Sequence, residues 1–331
     1  MKTKRSTGPQ PNPATRARAA VLLAAALLAS LPFPSARAVL LARTGDPLAN
    51  VAARPLADGR WETDPAIPGA GLAAYLGSFT VWPIAPSLAL GAKHVGGQPG
   101  DQVRLADGTT LASLDFRDDP ESDLRLWRVA GSFPHVADLY PDADAKGRLA
   151  LLLGRGTRRG APVIERVTNH VALPTEHVTV LIVDGRTRGR AVGRYHSFPR
   201  PHLTELRVTN TTWTVTEQVT ETVRGWQWGE IDGWLRWGLN RIDNSNLTYH
   251  AGFFDADGLE QEAFLSTGDS GGALFLQDTD GAWKLAGIHH QVSQFGRALF
   301  GHAFFSTNLA ARRAWITAAS DQLSHPTPPH P

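Results

Sequence analysis

The feature that most constrains the fold is a succession of short apolar or alternating runs that begins at Ala73. These runs, which include AAYLGSFTVWPI, LRLWRVAG and LALLLG, are separated by turns rich in Gly, Asp and Pro. Short runs bounded by such turn residues are typical of β-strands, and no sustained helical period occurs before residue 308. The sequence therefore predicts an all-β protein.

One helix is predicted after the strands. Over residues 308–319, apolar residues recur at roughly helical spacing behind Asn308, a residue type that favours the helix N-cap. The chain then ends in the Pro-rich stretch SHPTPPHP. We expect residues 321–331 to form a disordered tail.

Two other segments depart from the short-strand pattern. Residues 39–72 are rich in Ala, Pro, Gly and Asp with little periodicity, which predicts a loosely structured lead-in or pro-segment. Residues 166–224 are dense in Thr, Val, His and Arg, with turns such as Asp184-Gly185. This composition predicts a β-rich insertion.

The first 38 residues have the pattern of a secretory signal peptide. Residues 1–18 carry five basic residues and no acidic one, residues 19–31 are apolar except for Ser30, and Ala36-Arg37-Ala38 offers a cleavage site. The apolar run is shorter than the roughly 20 residues that span a bilayer. We expect a secreted or periplasmic protein without a transmembrane anchor.

Composition excludes several classes of function. Removal of the signal leaves 27 basic and 31 acidic residues, and a net charge of −4 gives no electrostatic reason to expect a nucleic acid partner. The chain has no cysteine, which excludes disulfides, thiolate metal sites and a cysteine nucleophile. An exported chain of this length held by its core alone is typical of a bacterial protein.

The stretch STGDSGGALF places a single serine among several glycines, directly before an apolar run. A plain turn needs one or two glycines, whereas Gly268, Gly271 and Gly272 all surround Ser270. The backbone N–H groups of Gly268 and Ser270 can then point at one oxygen, as acyl transfer requires. Ser270 is a candidate nucleophile, and a structural turn is the alternative.

A nucleophilic serine needs a histidine base and an acid that orients this base. Among twelve histidines, His94 lies at the end of a strand-like run and before a Gly-rich bend, in LALGAKHVGG. Asp123 opens SDLRLWRV and so lies at the mouth of a buried strand. Purely structural positions at strand ends are the alternative for both. Three nearby acids lie instead in a turn-like acidic stretch: Asp115, Asp118 and Asp119.

The order His94, Asp123, Ser270 in these surroundings resembles the chymotrypsin-type (trypsin-like) serine protease family. The resemblance depends on GDSGG, ALGAKHV, DLRLW, LAGIHH and FFSTNLAARRAWI, and it covers residues 73–320 apart from the insertion. It implies two packed six-stranded antiparallel β-barrels with a C-terminal helix. It also implies a monomeric serine endopeptidase that acts on proteins or peptides without a metal or organic cofactor.

The resemblance also implies a role for each site residue. Ser270 would be the nucleophile, His94 the general base and then the acid, and Asp123 the residue that orients His94. The amides of Gly268 and Ser270 would form the oxyanion hole. Phe264, six residues before the nucleophile, would floor the substrate pocket and favour cleavage after small or medium apolar residues. A basic preference would require the neighbouring Glu260 or Glu262 to reach the pocket.

The chain departs from the family pattern at several positions. Lys93 stands where a small residue is usual, and His290 stands where many members have a serine beside the catalytic aspartate. In many members the residue before the nucleophile, here Asp269, pairs with a newly freed N terminus. No convincing activation sequence is found, and Val39 and Val51 are the candidate N-terminal residues.

Two rival functions stay open at this point. A catalytically inactive protease-like module would bind partners through the insertion or through a tryptophan cluster, although such a cluster more often reflects cross-strand packing. An esterase would use the same three catalytic residues. A metal at His289-His290 is not expected, because neighbours on a strand face opposite ways. The tryptophans concerned are Trp226, Trp228, Trp234 and Trp237.

Overall fold

A computed structural model describes residues 39–46, 48–181 and 206–325 of the chain. The signal peptide predicted for residues 1–38 lies outside the described residues, as do residues 326–331 of the predicted tail. Among the helices of the described residues, none has the length and apolar character needed to cross a bilayer.

The described residues form an all-β fold with a C-terminal helix, which confirms the predicted fold class. Two 3₁₀ turns, Ala70–Leu72 and Lys93–Val95, interrupt the strands. The elements are β1 (Leu40–Leu41), β2 (Val51–Pro55), β3 (Trp61–Thr63), β4 (Ala74–Leu76), β5 (Phe79–Ala85), β6 (Leu88–Ala92), β7 (Gln102–Arg104), β8 (Thr110–Asp118), β9 (Leu124–Val129), β10 (Leu149–Gly154), β11 (Thr157–Leu181), β12 (Leu206–Ile231), β13 (Leu235–Arg241), β14 (Asn244–Ser245), β15 (Tyr249–Phe253), β16 (Ala263–Phe264), β17 (Ala273–Gln277), β18 (Trp283–Val292), β19 (Arg297–Leu299), β20 (Ala303–Asn308) and α1 (Arg313–Ser324).

Strands β4 to β9 close into an antiparallel barrel in the order β4-β5-β6-β9-β8-β7. Side chains alternate between the two faces of each strand, and both faces of β6 and β9 are buried. Trp127 and Val129 point into the barrel core, whereas Leu124 and Leu126 pack with Leu153 of β10 in a second core. Strands β6 and β9 therefore form the wall of the barrel that faces the rest of the sheet structure.

Six strands of the nine-stranded sheet repeat the neighbour order of this barrel. In the sheet they run β13-β10-β17-β18-β20-β15. Counted along the chain, the third of these strands (β15) neighbours the sixth (β20), and the first (β10) neighbours the fourth (β17), as in the barrel. Between β13 and β15, the second and third strands, the Asn240 side-chain amide donates to the Phe253 carbonyl at 2.9 Å. The core of this lobe contains Phe264, Phe304 and Leu274.

The lead-in is part of the folded structure. Its strand β1 pairs with β16, Leu40 opposite Phe264, and β2 and β3 extend the nine-stranded sheet beyond β13. Val39 and Leu40 are completely or almost completely buried. Strands of two to five residues are too short to show a period in sequence, which is why this segment was expected to be loosely structured.

The helix begins and ends later than predicted. The structure gives Arg313–Ser324, so the predicted start at residue 308 is wrong, and the helix runs into the predicted tail. Asn308 is instead the last residue of β20, where its side-chain amide donates to the carbonyls of Ala143 and Asn246. Its side-chain oxygen accepts from the amide of Ala311, so it stabilises the turn before the helix.

Residues 164–223 form a compact unit of their own, and the remaining residues form the other. In this unit β11 and β12 run antiparallel: Arg166 pairs with Glu221 at 2.6 Å, and Thr216 donates to the carbonyl of Val171 at 3.3 Å. Both contacts fit one register. Residues 182–205, including the predicted Asp184-Gly185 turn, lie outside the described residues.

Candidate active site

Strand register brings His94 and Asp123 together. Strand β6 pairs with β9 up to the pair Ala92 and Leu124, and the Lys93 amide then donates to the Asp123 carbonyl at 3.0 Å. His94 is the next residue along, in the 3₁₀ turn Lys93–Val95, which Gly96 follows. Gly96 has a φ of 77°, in the left-handed region that glycine adopts without strain.

Both carboxylate oxygens of Asp123 contact His94. One accepts from the His94 backbone amide at 2.9 Å, and the other forms a short hydrogen bond with the ring Nδ1. An ionised carboxylate only accepts hydrogen bonds, so in a neutral imidazole this contact requires the proton on Nδ1 and leaves Nε2 as the acceptor. His94 Nε2 lies 2.7 Å from the hydroxyl oxygen of Ser270. The three residues form one continuous hydrogen-bonded chain.

Ser270 lies in the loop between β16 and β17, and close backbone approach explains its glycines. A Cβ added to Gly271 would meet the Thr80 carbonyl at 2.5 Å, and one added to Gly272 would meet the Leu153 carbonyl at 2.4 Å. The indole of Trp82 also donates to the carbonyl of Gly271 at 2.9 Å. The GDSGG loop is therefore held against both the closed barrel, through β5, and the nine-stranded sheet, through β10.

The predicted oxyanion hole is compatible with the hydrogen bonds of this loop. The amide of Asp269 donates to the Ser266 carbonyl, and that of Gly272 to the Asp269 carbonyl. Neither of these bonds uses the amide of Gly268 or Ser270. Their role in binding an oxyanion stays a prediction.

A small cleft lies beside Ser270, with an empty volume of about 160 Å³ that includes open solvent. Phe264 is not one of the residues that line this cleft, and its completely buried ring lies 5.4 Å, centroid to centroid, from that of Phe254. The predicted role of Phe264 as pocket floor stays a prediction. The lining residues are Leu265, Ser266, Asp269, Ser270, His289, His290, Gln291 and Val292.

The two adjacent histidines of β18 have different surroundings. His289 is buried, its Nδ1 lies 2.7 Å from the Ser306 hydroxyl, and burial lowers its pKa to about 3. His290 occupies an irregular position in the pairing of β18 with β20. Burial lowers its pKa, and the charge of Asp123 opposes this shift. The charge of His94 acts in the same direction as burial.

The clustered tryptophans pack against the protein. Arg159 lies over the ring of Trp226 at 3.5 Å, and Trp228 meets Phe295 edge to face. Both indoles are half-buried against the core of the second lobe. These contacts favour cross-strand packing over a sugar-binding platform.

Sequence reasoning missed one buried group near this site. Asp119, placed in a turn-like acidic stretch, is completely buried and forms an ion pair with Arg312 at 2.7 Å. The two residues are 193 positions apart, so no local pattern could reveal the contact. The only available signal was Asp119's place four residues before Asp123.

No family model matches the sequence, and no curated protein matches it. Among solved structures, the chain is similar to neuropsin, a serine protease expressed in the limbic system of mouse brain. The identity is 15%, the TM-score is 0.46, and the match covers 77% of this chain and 97% of that one. The case for a function therefore depends on the geometry of this chain's own side chains.

Proposed function

We propose that this protein is a serine endopeptidase that hydrolyses peptide bonds through an acyl-enzyme. The observation that carries the proposal is the hydrogen-bonded chain from Ser270 through His94 to Asp123, with 2.7 Å between the Ser270 hydroxyl and His94 Nε2. A serine is a weak nucleophile until a correctly placed base takes its proton. In this proposal His94 is that base, and its contact with Asp123 orients the ring.

In the first half of the reaction, the Ser270 oxygen attacks the peptide carbonyl carbon while its proton passes to His94 Nε2. The charge that develops on the carbonyl oxygen is stabilised by the amides of Gly268 and Ser270. Asp123 stabilises the imidazolium without taking its proton. His94 then protonates the leaving amine, the C–N bond breaks, and the acyl group remains on Ser270.

In the second half, water attacks the acyl carbonyl and gives its proton to His94 Nε2. The bond from the acyl carbon to the Ser270 oxygen breaks, and His94 returns the proton to that oxygen. The products are a carboxylic acid and free enzyme. These steps use only side chains and backbone amides of this protein.

Access to the site supports a large substrate. The His94 side chain is 28% exposed although Ser270 behind it is almost completely buried. A polypeptide can therefore approach from the His94 side. We propose that the mature chain, without residues 1–38, acts outside the cytoplasm as a monomer on proteins or peptides.

Labelling of the mature protein by a fluorophosphonate tests the proposal, because only an activated serine reacts. We expect stoichiometric labelling of wild-type protein and none of Ser270→Ala, which is the control. An unlabelled but folded wild-type protein would instead support an inactive binding module. Matched amide and ester substrates then separate the peptidase from an esterase: turnover of esters alone would contradict the proposal.

A further inference from the structure

The loop that carries Asp123 contains a second carboxylate, which the proposed chemistry does not use. Asp119 is completely buried, and its two oxygens accept from Arg312 Nε and Nη2 at 2.7 and 2.9 Å. The Ser122 hydroxyl donates to one of the same oxygens at 2.6 Å. Two-pronged pairing of a buried carboxylate with arginine fixes both position and orientation.

Arg312 ties this loop to a distant element. It is the N-cap residue of α1, and its Nη1 also donates to Glu121 at 2.7 Å. The guanidinium thus contacts two side chains of the loop between β8 and β9. Because these contacts join the loop to the first residues of the helix, they restrict how far the loop can move.

Lys93 contacts the same loop from the His94 side. Its ammonium donates to the backbone carbonyls of Asp119 at 2.8 Å and Ser122 at 2.7 Å. Its backbone amide donates to the carbonyl of Asp123. One residue therefore joins the turn that bears His94 to the loop that bears Asp123.

We propose that Lys93 and Arg312 are positioning residues that hold the loop 119–123, and with it the Asp123 carboxylate, against His94. The inference depends on the proposed function, because it concerns the same site. The β6–β9 ladder ends at the pair Ala92 and Leu124. Beyond it two backbone bonds reach the loop, from the Lys93 amide to the Asp123 carbonyl and from the Asp119 amide to the Leu124 carbonyl, and the side chains of Lys93 and Arg312 add further contacts. Both Asp123 oxygens contact His94, and a displacement of about 1 Å at such a site lowers the rate by on the order of 100-fold.

The absence of cysteine from the chain allows a direct test at Lys93. Lys93→Cys is alkylated before refolding with 2-bromoethylamine, which rebuilds an ammonium at the length of lysine, or with 1-iodopropane, which gives an uncharged chain of the same length. Lys146→Cys, at an exposed lysine, and wild-type protein receive the same treatments as controls. The two thioethers differ only in the group that donates to the carbonyls.

We expect the propyl protein to lose about 10- to 100-fold in kcat with KM nearly unchanged, and the aminoethyl protein to regain most of the wild-type kcat. Lys146 variants should keep the wild-type rate. Equal kcat for the propyl and aminoethyl proteins, each folded by circular dichroism, would overturn the proposal. Arg312→Gln should lower kcat similarly, and the loss should be less than additive with the propyl change because both act through one loop.

A second readout does not depend on turnover. The proton shared by His94 Nδ1 and Asp123 should give a strongly downfield NMR signal in wild-type and aminoethyl protein, and this signal should weaken or vanish in the propyl protein. If wild-type protein is not labelled by fluorophosphonate, the proposed function fails, and this signal still decides the positioning role. A signal unchanged in the propyl protein and in Arg312→Gln would contradict it.

Discussion

Ser270 tests the proposed chemistry most directly. Ser270→Ala removes one atom from an almost completely buried position, so the fold should persist. Activity should fall by about 10³- to 10⁶-fold, because only oxyanion stabilisation and substrate binding remain. Peptidase assays of the folded variant measure the loss, with Ser320→Ala on helix α1 as a serine control. Near-normal turnover of Ser270→Ala would contradict the assignment.

Glu262 gives a prediction about pH at the same scale. This carboxyl group is buried, and burial raises its pKa to about 7 although backbone bonds from Leu259 and Asp255 oppose the shift. The folded protein therefore binds the proton more tightly than the unfolded chain. Its contribution to stability is fully present below the unfolded pKa near 4.5 and is lost as the pH rises through about 7.

Glu262→Gln should remove this dependence. Between pH 4 and 8, wild-type protein should lose on the order of 2–4 kcal/mol of unfolding free energy relative to the variant. Urea unfolding at several pH values measures this difference. Glu260→Gln, at an exposed neighbour, is the matched control and should keep the wild-type slope. Parallel pH profiles for wild-type protein and Glu262→Gln would contradict the prediction.

Local signals explain which site residues could be predicted from the sequence. His94, Asp123 and Ser270 each lie beside a strand end or a Gly-rich loop, and the structure brings all three together. The contacts of Asp119 with Arg312 depend on packing between distant segments, so no window of sequence contains them. The candidate catalytic residues could therefore be predicted from the sequence, whereas the contacts proposed to hold them in place could not.

At the scale of elements, the insertion makes the sharpest test. Arg166 with Glu221 and Thr216 with Val171 imply a register in which Val163 is opposite Arg224. A two-residue Asn-Gly turn could therefore join these two ends, since it suits paired antiparallel strands. We expect the protein without residues 164–223 to fold and to be labelled at Ser270, because these residues form a compact unit of their own.

Circular dichroism and fluorophosphonate labelling measure that outcome. A shortened protein that lacks Ser270 should remain unlabelled, which controls for nonspecific reaction. Loss of all folded protein would mean that the two strands stabilise the rest of the chain. Retained labelling with slower cleavage of large proteins alone would indicate that the insertion contributes to substrate binding.

Element boundaries were harder to predict than element types. Strands β11 and β12 are 25 and 26 residues long. The sequence prediction depends on short runs bounded by turn residues, and strands of this length do not follow that pattern. The predicted start of the helix is wrong because Asn308, a residue type that favours the helix N-cap, is instead the last residue of β20. Strand β1 has two residues, and its importance comes from pairing with β16, which leads into the Ser270 loop.

At the scale of the whole molecule, two similar strand arrangements divide the site between them. The wall formed by β6 and β9 ends in His94 and Asp123, whereas Ser270 precedes β17 of the nine-stranded sheet. Leucines of that wall share one buried core with β10 and β17. The core that joins the two strand arrangements therefore also sets the distance between His94 and Ser270.

Substrate preference should follow from the cleft beside this junction. Leu265 and Val292 give it apolar walls. The carboxylate in its lining, Asp269, is 1% exposed and accepts from the Ser266 amide. A bound Arg or Lys side chain would lose its water shell without a matching partner, which costs several kcal/mol. We therefore expect cleavage after small or medium apolar residues.

Profiling with a mixed peptide library measures this preference. The value of kcat/KM after Arg or Lys should be at least about 100-fold lower than after Ala, Val or Leu, given the cost of an unpaired buried charge. Leu265→Asp should reduce this difference, because its carboxylate can pair with a basic side chain. Leu265→Asn, which adds no charge, is the control. A wild-type profile dominated by Arg or Lys would mean that another carboxylate, such as Glu260 or Glu262, reaches the bound side chain.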